Sequence, residues 1–484
     1  MKYSNLPNFI DGQEVPGSAS QLDVFNPATG IKITKVPLSG RKELDLAVSA
    51  AAEAFKTWSI KPLKERVKVF FRYKQLLEEN QDELAQMVVE ENGKTRAEAI
   101  AEVEKSIEIT EFACSLPQIV SGDIEEVSRG VECRSERKAL GVVASITPFN
   151  FPNMVPNWTI PNAIALGNTM ILKPSEQTPL SAVRIGRLLQ EAGLPDGVFN
   201  VVHGSEEIVK AICDHPGIKA ISFVGSTKVA KIVYARGTSK FKRVLALGGA
   251  KNHLLVLPDA HHDMTASNVA ASMSGCAGQR CMAASALLAV GDTDEIIAKI
   301  CAEVRKIIPG KNLGAVISSE ARNRIEKYIS EAEKEGAKVL VDGRNTVVEG
   351  KENGYFVGPT VIDYVKPHMK IASEEVFGPV LAIIRTKTID EALFIENSSG
   401  YGNAASVFTQ SGGLADYVAE NASAGMIGIN IGVPVPREPF SFGGWNESKF
   451  GACDITGNSS IEFWTKLKKI TVKWTPESRS NWMS

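Results

Sequence analysis

Between residues 141 and 247 short β-rich runs alternate with stretches of helical periodicity, and that alternation limits the possible folds more than any other feature. The runs are Gly141-Val142-Val143-Ala144-Ser145-Ile146-Thr147, Thr169-Met170-Ile171-Leu172-Lys173, Val198-Phe199-Asn200-Val201-Val202, Ala220-Ile221-Ser222-Phe223-Val224 and Arg243-Val244-Leu245-Ala246-Leu247. Apolar residues at helical spacing fill 179–192 and 206–213, and another helix is expected from Thr227. Strands separated by helices of this length predict right-handed βαβ units and a parallel sheet. Ligands of such sheets bind beyond the carboxyl ends of the strands. Those ends are Thr147-Pro148-Phe149-Asn150, Lys173-Pro174-Ser175-Glu176, Gly225-Ser226-Thr227 and Gly248-Gly249, a clustering that suggests a nucleotide site.

A second alternating block runs from His253 to about Thr409, and residues 41–112 carry charged and apolar residues at helical spacing. Near the end, Ile470-Thr471-Val472-Lys473-Trp474 alternates like a strand, with 131–136 as a candidate partner. At 484 residues the chain is too long for one core and predicts two or three domains. A net charge of −2 offers no basic field for nucleic acid.

The stretch 139–172 has no charged side chain and is long enough to suggest a membrane span. It holds Pro148, Pro152, Pro156 and Pro161 among five asparagines, which breaks a continuous helix and would strand amides in lipid. A buried strand followed by a site-lining loop is the expectation, with room for a helix before the run at Thr169. Seven cysteines without a CxxC pair argue against a disulfide framework or zinc site, and the start lacks the apolar core of a secretory signal. These features predict the cytoplasm. One cysteine is in unusual company: Cys281 follows Ser274-Gly275-Cys276-Ala277-Gly278-Gln279-Arg280, where small residues permit a tight turn around a thiol. A free cysteine is more often a small core residue than a nucleophile. Nearby cationic or backbone donors would raise its thiolate fraction. No GxGxxG or P-loop pattern occurs.

Several motifs, in order, resemble the aldehyde dehydrogenase superfamily. They are Phe25-Asn26-Pro27-Ala28-Thr29-Gly30, Pro148-Phe149-Asn150-Phe151-Pro152, Lys173-Pro174-Ser175-Glu176-Gln177-Thr178-Pro179 and Ser222-Phe223-Val224-Gly225-Ser226-Thr227. Leu247-Gly248-Gly249, Gly278-Gln279-Arg280-Cys281, Glu375-Val376-Phe377-Gly378-Pro379-Val380 and Phe442-Gly443-Gly444-Trp445 complete the series. The resemblance implies an α/β fold with a Rossmann-like NAD domain at 1–120 and 139–250. It further implies a catalytic domain at 251–445 and a β-hairpin oligomerisation element at 121–138 and 446–484, in a homodimer or homotetramer.

The same resemblance makes Cys281 the nucleophile, with the Asn150 amide and the Cys281 N–H holding the oxyanion. It implies that NAD is met by Thr147, Phe149, Lys173, Glu176, Gln177, Gly225, Ser226, Gly248, Glu375 and Phe377. Glu176 near the adenosine ribose would favour NAD over NADP. Arg280, Phe151 and Phe442 would face the substrate, and no metal is implied.

Most of the family carries Glu-Leu-Gly-Gly where this chain has Ala246-Leu247-Gly248-Gly249, so the base that activates water is missing. Together with Gly249-Ala250-Lys251-Asn252-His253 and Arg280, this is similar to the methylmalonate-semialdehyde dehydrogenase branch, which passes the acyl group to CoA with loss of carbon dioxide. Lys105 stands where an arginine for the substrate carboxylate is expected, and 437–444 departs from the branch pattern. Alternatives are a hydrolytic enzyme using another base, such as Glu374 or His253, and a catalytically silent protein.

Overall fold

The computed structural model describes residues 2–17 and 20–474. Two sheets dominate. In the first, the order is Gln13–Val15, Asn8–Ile10, Phe199–Val201, Thr169–Lys173, Val142–Ile146, Ile218–Val224, Arg243–Leu247 and Lys449–Phe450. The five central strands are parallel, and the outer ones join antiparallel. The chain builds outward from Val142–Ile146 on one side, then returns to add Ile218–Val224 on the other. This reversal opens a crevice between those two strands at their carboxyl ends, where doubly wound sheets take ligands.

The second sheet runs Lys338–Val341, Thr360–Asp363, Val380–Thr386, Ala284–Val290, Asn252–Val256, Ala404–Phe408 and Met426–Ile429, parallel except at its first edge. A third, antiparallel sheet joins Thr465–Lys473 to Val131–Ala139 and Ile124–Ser128. The terminal strand therefore pairs with the expected segment, in a register that sets Ile470 opposite Arg134. Residues 475–484 of the expected oligomerisation element lie outside the described residues.

The N-terminal helical region resolves into Arg41–Trp58, Leu63–Glu79, Gln81–Asn92 and Arg96–Ile119. The last opens with a capping box, in which the Glu98 N–H donates to Thr95 Oγ1 and the Thr95 N–H to Glu98 Oε2. It buries Ala99, Val103, Ile109 and Ala113 in a core shared with Trp58, Phe70 and Trp158.

The uncharged stretch begins with the expected buried strand and loop, and the room for a helix ahead of Thr169 is filled. After Val142–Ile146 and a short loop comes a twelve-residue helix, Met154–Ala165, with Pro161 in its interior. Pro156 falls in the first turn, where a missing N–H costs no intrahelical bond. Asn157 Nδ2 donates to the Asn153 carbonyl. The chargeless composition reflects burial: every residue from Val155 to Ala165 is buried. Among the described residues, no helix is long and apolar enough to cross a membrane.

Candidate active site

Cys281 is delivered by a backbone turn. The helix His262–Ser274 ends at Gly275, and Cys276, Ala277 and Gly278 follow with φ of 54°, 52° and 69°. Left-handed non-glycine residues each cost on the order of 1–3 kcal/mol, so the surroundings must hold them. The Cys276 N–H donates to Glu98 Oε1 at 2.5 Å. Gly278 cannot carry a side chain, because a Cβ would come within 2.0 Å of the Gly378 carbonyl oxygen. The chain then enters Ala284–Val290 with Cys281 just ahead of it.

The peptide of Cys281 is clamped. Its carbonyl accepts from Asn252 Nδ2 at 2.7 Å and from Asn403 Nδ2 at 3.0 Å, and Asn252 also reaches the Ala283 carbonyl at 2.9 Å. Asn150 Nδ2 donates to the Gln279 carbonyl at 3.0 Å, which orients the amide and leaves its second N–H for another acceptor. Asn252 and Asn403 were not singled out from the sequence. The available signal was an asparagine in a β-rich run that buries its other side chains.

Asn150 is itself anchored through the buried pair Lys94–Glu102. Lys94 Nζ donates to the Asn150 carbonyl and lies 3.7 Å from the centre of the Phe151 ring. Glu102 Oε1 accepts the Asn153 and Met154 N–H groups at 2.8 and 3.1 Å, placing a carboxylate at the start of the Met154–Ala165 helix.

Two cavities meet at Cys281. A cleft of about 780 Å³ lies at the crevice of the first sheet and is lined by Thr147, Phe149, Lys173, Glu176, Gly225, Ser226, Gly248, Glu375 and Phe377. A chamber of about 190 Å³, mostly apolar, is lined by Phe151, Trp158, Phe442, Arg280, Lys105 and Glu438 among others. Cys281 lines both. Gln177 lies apart: its side chain is exposed and outside the cleft wall, because its N–H turns back to Ser175 Oγ at 3.2 Å.

Within the cleft, Lys173 Nζ holds Glu176 Oε2 at 2.8 Å, and the rings of Phe149 and Phe377 meet edge to face at 5.9 Å. The Glu375 carboxylate accepts the Ala250 N–H at 2.9 Å, and burial pushes its carboxyl up to about 7. Thr147 Oγ1 is buried with no partner.

Two expectations are corrected. Cys281 is not activated in the protein alone: burial first, then the Glu375 carboxylate, push its thiol up to about 12, and Arg280 offsets this only in part. The Arg280 guanidinium points to the Ala271 and Ser272 carbonyls at 2.7 and 3.1 Å. Ala246, in turn, does not face Cys281. Val244 and Ala246 pack with Ile146 and Phe223 on one side of the sheet, whereas Leu245 and Leu247 join the cluster against which Cys281 packs. Strand alternation makes this unavoidable. The strand still carries no carboxylate. Neither Glu374 nor His253 lines either cavity. Burial, with Lys251 adding to it, pushes His253 down to about 3 and keeps it neutral.

Alkylation of Cys281 by iodoacetamide, followed by peptide mass spectrometry without added ligands, should accelerate about tenfold per pH unit from pH 7 to 9. The thiolate fraction climbs throughout that window because the thiol titrates above it; a plateau below pH 9 would contradict the burial assignment. Ala246→Glu should lower the midpoint of thermal unfolding, since an unpaired carboxyl in that core costs several kcal/mol. It should also leave acid production from aldehydes unchanged.

The match to the aldehyde dehydrogenase family model spans residues 15–470. A malonate-semialdehyde dehydrogenase of Geobacillus kaustophilus is 45% identical, over 97% of this chain and 99% of that protein. The Pseudomonas aeruginosa malonate-semialdehyde dehydrogenase is 43% identical over 97% of this chain and 96% of its own. The crystal structure of methylmalonate-semialdehyde dehydrogenase from Oceanimonas doudoroffii superposes with a TM-score of 0.96 at 42% identity, covering 98% and 99% of the two chains. A Sinorhizobium meliloti protein solved in complex with NAD superposes with a TM-score of 0.97 at 40% identity, covering 99% and 100%. From the motif order, the paired cavities at Cys281 and these similarities, the chain belongs to the aldehyde dehydrogenase family.

Proposed function

We propose that this protein oxidises a short semialdehyde with NAD through a thioester on Cys281 and passes the acyl group to CoA. The observation that carries this is the position of Cys281, on the walls of both a dinucleotide-sized cleft and a small apolar chamber. Support for the acyl acceptor comes from the carboxylate-free strand Arg243–Leu247 and from relatives that are malonate- and methylmalonate-semialdehyde dehydrogenases.

The cleft residues suit NAD. Thr147 Oγ1 is an unpaired polar atom at the crevice. Ser226 starts the Thr227–Thr238 helix without a side-chain cap, so its first N–H groups stay available to a pyrophosphate. Glu176 would meet ribose hydroxyls and repel a 2′-phosphate. Bound NAD supplies the hydride acceptor. Of the cleft set expected from the resemblance, Gln177 alone lacks support.

In the chamber, deprotonated Cys281 Sγ adds to the aldehyde carbon. The Cys281 N–H and the second N–H of Asn150 Nδ2 hold the oxygen that becomes negative; such preorganised donors contribute roughly 3–4 kcal/mol each. With hydride lost, an acyl thioester remains on Sγ. CoA, entering as thiolate, attacks the acyl carbon, and Cys281 Sγ leaves. For a 3-oxo acid the reading includes loss of carbon dioxide, giving acetyl- or propionyl-CoA. Water competes poorly because no carboxylate on the Arg243–Leu247 strand can take its proton. The reading divides the chain as the resemblance does: residues 1–120 and 139–250 for NAD, 251–445 for catalysis, and 121–138 with 446–484 for homo-oligomer contact. The three sheets support it, with Lys449–Phe450 lending a strand to the first.

Without CoA, NADH should appear as a burst of about one equivalent per Cys281 and then slow sharply; CoA should restore turnover and yield an acyl-CoA identifiable by mass. Cys281→Ala should abolish both burst and turnover, whereas rapid CoA-independent release of free acid would promote the hydrolytic alternative. Replacing Glu176 by Ala should narrow the preference for NAD over NADP, read as the ratio of kcat/KM values for the two cofactors. Equal values in the unaltered protein would contradict the ribose assignment.

A further inference from the structure

The chamber beside Cys281 is apolar except for a few side chains, and three of these are charged: Lys105, Arg280 and Glu438. Lys105 Nζ lies 2.8 Å from Glu438 Oε2 and 3.1 Å from Glu108 Oε2. Glu438 is the sheltered partner, its side chain 9% exposed against 47% for Glu108. The pair joins the Arg96–Ile119 helix to a segment 333 residues away.

Arg280 differs. One guanidinium nitrogen is spent on the Ala271 and Ser272 carbonyls, while Nε is buried without a partner. Its position is fixed by Gly275, where a Cβ would approach the guanidinium carbon to 2.4 Å. The chamber wall therefore carries one cation already neutralised by a protein carboxylate and one, Arg280, held by backbone carbonyls.

A carboxylate approaching Lys105 would also meet Glu438. Like charges in a sheltered apolar site repel far more strongly than in water. The bland alternative is that the pair merely tethers two segments, in which case it has no bearing on which aldehyde is used.

We propose that Glu438 is a specificity-determining residue: it withholds Lys105 from the carboxylate of a semialdehyde, leaves that carboxylate to Arg280, and so narrows the preference for carboxylated over uncharged aldehydes. This rests on the CoA-acylating dehydrogenase reading above. It sets this chamber apart from one with two free cations, and it widens the substrate range toward short neutral aldehydes.

The test compares kcat/KM for 3-oxopropanoate and for propanal, at saturating NAD and CoA, in the unaltered protein, Glu438→Gln, Lys105→Met and the double variant. The ratio of the two values, carboxylated over neutral, should rise roughly five- to twentyfold in Glu438→Gln. It should fall in Lys105→Met, where Glu438 faces the chamber unpaired, and return to within about threefold of the original in the double variant. An unchanged or lowered ratio in Glu438→Gln, with both aldehydes still yielding NADH and acyl-CoA, overturns the proposal. Should that variant fail to fold, the step from Lys105→Met to the double variant reads the same carboxylate, and a ratio that does not rise across it overturns the proposal equally. Failure of the underlying reading shows differently: neither aldehyde gives an acyl-CoA with the unaltered protein.

Discussion

The reactive centre depends on one buried ion pair. Lys94 and Glu102 retain 1% and 0% of their side-chain exposure, a setting in which an unpaired charge is costly. Each is satisfied several times over. Lys94 takes the Asn150 carbonyl and the face of Phe151 in addition to its carboxylate; Glu102 takes two N–H groups at the head of the Met154–Ala165 helix. Removing either partner leaves a bare charge in the core, a loss of about 3–5 kcal/mol in comparable pairs. The loop that holds Asn150 is thereby fixed to the N-terminal helices, and with it the amide aimed at the Cys281 turn.

One helix face serves the site three times. Glu98, Glu102 and Lys105 lie at i, i+4 and i+7 of Arg96–Ile119, so they project along one side. Glu98 holds the strained Cys276 peptide, Glu102 secures the Asn150 loop, and Lys105 reaches the chamber wall. A strained turn, an oriented amide and a charged wall are thus carried on one rigid element, which suits a site whose groups must keep their places while substrate and acceptor exchange.

The correction at Ala246 shows how a motif can be recognised while its geometry is misjudged. The absence of a carboxylate from the Arg243–Leu247 strand was legible in residue types alone. Which residue of that strand faces Cys281 was not, because a shift of one position in a strand turns a side chain to the opposite face. Similarly, small residues around a thiol at a tight turn suggested an activated Cys281, yet burial and Glu375 push that thiol up.

The parallel sheet was written in the alternation of residues 141–247, and the strand ends that line the cleft followed from it, since period and length are local properties. Cys281 was also singled out in the sequence, through motifs in fixed order, and it sits where the two cavities meet. What the tertiary structure alone decided is how distant segments share one site. Asn252, at the start of a strand, and Asn403, just ahead of another, close on the Cys281 carbonyl, Glu98 reaches Cys276 across 178 residues, and Glu438 finds Lys105 across 333. Such partnerships leave no local trace, because a buried polar group must be satisfied by whatever the packed chain brings within reach, and a one-dimensional pattern does not specify which group that is.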